Sequence, residues 1–315
     1  MGEGKPREGE QPAATPGDMP KALTPSRYLA WLYSTDAQKP VLAALLEIES
    51  EIVGGLRPGM EHHVAHARLQ WWSEEAERVA EGRPVHPLTR ELVKARANAG
   101  GQAGASAMAS GATSATASGA TSGAASPLIG ITGFVDTAVW DLASATFETR
   151  KELTAYCERW AAAMFETAAQ APGSAAPSPW KTLGAAVREI ELLTDLAGDA
   201  QIGRVRIPLD ELDRASVDTK TLAKLPWPAP LTALLRERHE ALRTTIANGV
   251  AALARDDQMS LRGLLVWAAL TLRLSRRAQR ALPNVILPRR YDALADGWQA
   301  WRTARRAAAG NLRLR

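Results

Sequence analysis

The chain has a single cysteine, Cys157, among 315 residues. One thiol excludes an intrachain disulfide and removes any need for an oxidising compartment. Its neighbours Tyr156, Glu158, Arg159 and Trp160 read as helix, and nothing around it marks an activated nucleophile. A long apolar run is missing too. The longest stretch, Gly263 to Leu272 between Arg262 and Arg273, is about half of the roughly twenty residues that cross a bilayer core. Met1 to Pro20 is polar and rich in Gly, Pro and Glu, without the apolar centre of a secretory signal. The sequence therefore reads as cytoplasmic. Strand formers are scarce, with three Phe and four Tyr, while Ala, Leu and Arg abound and no useful alternating stretch appears. The expectation is an all-α protein.

Charge of both signs is present but unevenly placed. The net charge is +4, yet Leu261 to Arg315 holds twelve arginines against Asp292 and Asp296 alone, which leaves about −6 on the remainder. That segment reads as a solvated helix face ending in a frayed basic tail at 310–315. With Trp267, Trp298 and Trp301 interleaved, its other reading is a peripheral contact with a membrane surface, in a bacterial setting the inner membrane. No nucleic-acid motif accompanies it.

Residues 1–22 cannot bury enough apolar surface to offset ordering entropy and are expected to be disordered. Asn98 to Ser126 is almost wholly Gly, Ala, Ser and Thr, the composition of a flexible linker. Elsewhere apolar residues fall at helical spacing. Val41, Leu42, Leu45, Ile48, Ile52 and Leu56 form one stripe, with Pro40 suited to a first helical turn. Val64, Leu69, Trp72, Ala76 and Val79 form a second that should stop near Gly82 and Pro84. Leu231, Leu234, Leu235, Leu242, Ile246, Val250 and Leu253 form the longest, and Tyr291, Leu294, Trp298 and Trp301 give the last helix an apolar face.

Three carboxylates, Glu191, Asp195 and Asp199, recur at steps of four, which places them on one face of a helix. Like charges at that spacing repel, so a cation belongs against them. Mg²⁺ suits one or two carboxylates completed by water and phosphate oxygens; an arginine such as Arg188, or solvent, serves equally well by spacing alone. His62 and His66 share a helix face but lack a third ligand for Zn²⁺, and read as a solvated helix start. His239, inside the longest apolar stripe, reads as a satisfied core residue.

The stretch Asp195-Leu196-Ala197-Gly198-Asp199, followed by Gly203-Arg204 and Ile207-Pro208, is similar to the second signature of squalene and phytoene synthases. Arg68-Leu69-Gln70-Trp71-Trp72, the loop Pro84 to Leu88, Phe147 to Cys157, and Asp296-Gly297-Trp298 resemble further family segments in the same order, over roughly residues 24–306. The resemblance implies one isoprenoid-synthase-type domain at 23–309, a helical bundle around a central cavity, with 98–126 as an insertion. It further implies Mg²⁺ at Asp195 and Asp199, and a prenyl diphosphate near Arg204 and Glu191. Thr194 and Glu191 depart from the usual arginine and asparagine.

A larger departure lies upstream. The family's other aspartate motif falls at Val53 to Arg57, where this sequence has no carboxylate; Glu47 and Glu51 are out of register. The pattern resembles a branch with weakened metal motifs that includes complex I assembly factors. It implies a catalytically degenerate member that binds an isoprenoid diphosphate or a protein partner at the membrane surface. The alternative is an active Mg²⁺-dependent prenyltransferase that joins two prenyl diphosphates head to head. On the Arg68 helix, Arg68 and Gln70 are expected to support the core, and Trp71 and Trp72 to be buried.

Overall fold

The computed structural model describes residues 24–56, 61–109, 130–169, 179–284 and 292–314. The expectations for residues 1–22, Arg57, the linker residues 110–126 and Tyr291 lie outside these residues. Helices are the regular structure throughout, and the described residues contain no strand.

Short Pro-initiated helices open the chain. α1 (Pro25–Tyr33) and α2 (Lys39–Gly54) each carry proline in the first turn, where its missing N–H would have no intrahelical partner. α3 (His62–Ala80) stops where Gly82 turns at φ +75°. α4 (Pro87–Ala109) runs into the Gly/Ala/Ser-rich stretch, so residues 98–109 continue a helix instead of opening a linker. α5 (Thr132–Leu142) and α6 (Arg150–Ala161) follow, and α6 passes through a π-helical turn, Ala162–Glu166, into α7 (Thr167–Ala169). Then come α8 (Pro179–Thr194), α9 (Leu196–Gln201), α10 (Leu209–Arg214), α11 (Ala229–Ala251), α12 (Arg255–Ser260), α13 (Arg262–Ala281) and α14 (Ala293–Ala308).

α8 is central and packs on α6, α11 and α13; α13 in turn carries α1 and α14. The apolar run Gly263 to Leu272 is buried along its whole length inside α13, as expected of a helix apolar on every side. The three phenylalanines, Phe134, Phe147 and Phe165, are all in the core with Trp160 and Trp267. The rings of Phe165, Trp160 and Trp267 meet edge-on or tilted, as with Trp160 and Trp267 at 5.8 Å and 86°, an arrangement favoured by the ring quadrupole. α1 reaches α13 only because residue 263 lacks a side chain: a Cβ there would sit 2.5 Å from the Ala30 carbonyl oxygen and 2.0 Å from Ser34 Oγ.

Several expectations are corrected. Trp267 is fully buried and cannot meet a membrane. The apolar face expected of α14 is present, and it points outward: Leu294, Trp298 and Trp301 are exposed, while Asp296, Ala300, Thr303, Ala304 and Ala307 face the protein. Steps of three and four mark a helix face without saying which side it covers. Arg68 and Gln70 are exposed, not core supports. Trp72 is buried but Trp71 is 37% exposed; it packs on Trp72 and His86 under the Arg78 guanidinium. Residues 310–314 of the tail are docked rather than frayed, with Leu312 buried and its N–H donating to Gln258 Oε1 at 2.8 Å.

Candidate functional site

The helix carrying the acidic residues is not continuous. α8 ends at Thr194, whose hydroxyl turns back to the Glu191 carbonyl at 2.8 Å. Asp195 leaves helical geometry at φ −104°, ψ 10°, and α9 starts afresh at Leu196. The one-turn step survives this break because the Asp199 N–H still donates to the Asp195 carbonyl at 2.9 Å. α9 closes through Gly203 at φ +83°, a left-handed conformation that suits glycine, and the Arg204 N–H donates to the Asp199 carbonyl at 2.9 Å. The residues that follow carry no regular structure. Arg204 and Arg206 line the same cavity, while Val205 packs against the core.

That cavity measures about 460 Å³ and is lined from α1, α2, α5, α8, α9, α13 and α14, within the usual range of small-molecule sites. Its wall brings together the four expected site residues, Glu191, Asp195, Asp199 and Arg204. It also holds residues the spacing did not single out: Arg27, Asp141 and Arg206. Arg206 donates Nε to Asp199 at 3.0 Å and Nη1 to Asp141 at 2.7 Å. Tyr156 donates its hydroxyl to Asp141 at 3.2 Å. Arg27 pairs with Glu49 at 2.5 Å and with Glu191 at 3.4 Å, and Arg188 reaches Glu191 at 3.5 Å. Trp267 Nε1–H donates to Glu191 at 2.9 Å, and Trp160 Nε1–H to Glu49 at 2.7 Å.

Two lining charges stand outside this network. Among the described residues, Arg204 has no carboxylate partner, and no arginine or lysine pairs with Asp195. Burial, with the Asp199 charge adding to it, pushes the Asp195 carboxyl above the usual range despite Arg206 nearby. Glu49 goes the other way: burial alone would raise it, but Arg27, Arg188 and the Trp160 N–H outweigh that and hold it below the usual range. Burial opposes the charge on Arg206, yet Tyr156, Asp141 and Asp199 keep it protonated.

α2 places no carboxylate on the cavity wall. Val53 lines the cavity there, Glu51 pairs outward with His86 at 3.3 Å, and neither Glu47 nor Glu51 reaches the wall. Glu49, one turn before Val53, was legible only as a charged residue inside an apolar stripe (Leu45, Ile48, Ile52). Arg206 could have been found from its place two residues after Arg204. Arg27 gives no local signal, because its role depends on helices far apart in sequence.

Other candidates are set aside by geometry. Cys157 is buried, and burial, with Glu189 adding to it, pushes its thiol far up. His239 is buried with Nδ1 3.0 Å from Ser275 Oγ; burial and then Arg243 lower its pKa to about 4. The exposed rings of His62 and His66 touch at 3.1 Å, and the described residues contain no cluster of three or more metal-ligating side chains.

A helical bundle around a cavity lined by paired carboxylates and arginines is the isoprenoid synthase fold. The chain belongs to the squalene/phytoene synthase family, whose model matches residues 24–299. Among solved structures it is similar to a dehydrosqualene synthase in complex with ligand, with a TM-score of 0.64, 16% identity, and 90% of each chain covered. It is also similar to squalene synthase HpnC from Alicyclobacillus acidocaldarius, with a TM-score of 0.57, 14% identity, and 82% of this chain and 89% of that one covered. No curated protein matches.

The donor set fits one Mg²⁺ and not a larger cluster. Asp195 is unengaged and crowded by the Asp199 charge, and Arg206 Nε occupies only Oδ2 of Asp199. One or two carboxylates completed by phosphate oxygens and water is an ordinary Mg²⁺ shell. Val53 offers a further ion nothing.

Proposed function

We propose that the cavity binds one prenyl diphosphate and does not couple two. The observation that carries this is the unengaged pair on its wall: Arg204 is available to a phosphate and Asp195 to a cation, while the other lining carboxylates are already held by arginines. Guanidinium groups meet phosphate oxygens in a planar, two-pronged contact. Arg204 makes the first contact in this account. Arg206 follows by releasing part of its hold on Asp199 and Asp141. Mg²⁺ held by Asp195 and Asp199 would neutralise diphosphate charge. Val53, Leu192, Leu270 and Leu274 give the prenyl chain an apolar wall.

Joining two such substrates asks for more. Charge developing on the departing diphosphate must be stabilised by groups already aimed at it. α2 contributes Val53, and Glu49 behind it is committed to Arg27 and Trp160. Binding without head-to-head coupling follows.

Calorimetric titration of farnesyl diphosphate into the protein, with and without Mg²⁺, tests the binding. The expected result is binding that strengthens with Mg²⁺ and weakens about tenfold or more in Arg204→Ala, the scale of a lost charge-assisted contact, with Asp195→Ala losing the Mg²⁺ effect. Equal affinity in all three proteins, or no binding, would contradict the proposal. An active synthase remains the second reading, favoured by the intact Asp195–Asp199 step and the Gly203–Arg204 turn. It requires head-to-head product from the wild-type chain and none from Asp195→Ala.

A further inference from the structure

We infer that the outer face of α14 is a docking surface for an anionic lipid bilayer. Leu294, Trp298, Trp301 and Arg305 recur at steps of four, three and four, which aligns them on one side of the helix. Leu294 is 89%, Trp298 60% and Trp301 39% exposed. A globular protein gains nothing by leaving two tryptophans and a leucine together in water, and such a patch marks an interaction site. The opposite side of α14 is already committed to the protein through Ala300 and Ala304, which pack on Leu29, Val266 and Leu270. α1, the helix that supplies Leu29, also exposes Tyr28 and Leu32.

The chemistry of the face selects its occupant. Trp298 and Trp301 stack at 4.8 Å and 28°, and the Arg305 guanidinium lies 5.5 Å over the Trp301 ring. Arg302, Arg305 and Arg306 are exposed, and among the described residues none of them pairs with a carboxylate. The only acidic residue within α14, Asp296, faces inward and is held by Arg273 at 2.6 Å. Two amphipathic indoles and an exposed leucine flanked by unpaired arginines match the interfacial zone of a membrane. There the rings sit at headgroup level and the guanidinium groups meet lipid phosphates. No described helix is long and apolar enough to cross a membrane, so the contact is one of lying on the surface. It does not depend on what the cavity binds.

Flotation of the full chain with phosphatidylcholine vesicles, with and without phosphatidylglycerol, tests the inference. Binding is expected to vesicles containing phosphatidylglycerol, to weaken with salt, and to fall about tenfold or more in Trp298→Ser/Trp301→Ser and in Arg302→Gln/Arg305→Gln. Both variants change only exposed side chains, and circular dichroism checks that each is folded. The inference is overturned by three results: no binding to anionic vesicles, undiminished binding by the folded variants, or a wild-type dimer that the tryptophan variant dissociates, which would assign the face to a second copy of the chain.

Discussion

At the residue scale, the cavity works as a set of charges already spoken for, plus two that are not. Glu49 shows what the engaged ones contribute. It is buried against Arg27 and Trp160, and Glu49→Gln would leave Arg27 buried with a weaker partner set. Breaking a buried pair from one side costs about 3–5 kcal/mol, which urea unfolding would detect; a loss within the scatter of surface mutations would mean the pair is solvated. His239 gives a pH signature. Its folded-state pKa of about 4 lies below the ordinary His value of 6.5, so the unfolded chain binds more protons between those limits. Its share of stability is present above pH 6.5 and is lost as pH falls towards 4, by up to about 3 kcal/mol. His239→Gln should flatten that part of the stability-versus-pH curve, and an unchanged slope would show that another group sets it. Asp195, Asp199 and Arg204 were legible because their spacing repeats a signature. Glu49, Arg27 and Asp141 were not, since each gains its meaning from a partner on a different helix.

At the scale of elements, two features escaped the sequence for definable reasons. A step of four between acidic residues fits both an unbroken helix and a helix that restarts at Asp195, because either preserves the turn from Asp195 to Asp199. The face of α14 was visible, but its direction depended on whether α13 already had a partner on that side; small residues at Ala300 and Ala304 let α14 pack with the opposite face. α13 itself was legible as the longest apolar run, and its docking on α1 depends on Gly263. Gly263→Ala places a methyl against the Ala30 carbonyl. It is expected to cost about 1–3 kcal/mol, the usual range for overpacking, and to weaken ligand binding by displacing α1, which carries Arg27. A variant as stable as wild type, with unchanged binding, would show that α1 tolerates the shift.

At the scale of the molecule, the all-α bundle followed from composition, helical periodicity and the order of motifs, and these agree at every level from the first-turn prolines to the buried phenylalanines. The functional half was legible as a contrast: one wall of the cavity keeps Asp195, Asp199 and Arg204, and the other presents Val53. The central claim is that this asymmetry separates binding from coupling. The measurement that tests it most directly is incubation of the purified chain with labelled farnesyl or geranylgeranyl diphosphate and Mg²⁺, followed by separation of the lipid products. The account predicts that the diphosphate is recovered unchanged although it binds, whereas a head-to-head product formed at an enzymatic rate, and lost in Asp195→Ala, would contradict it.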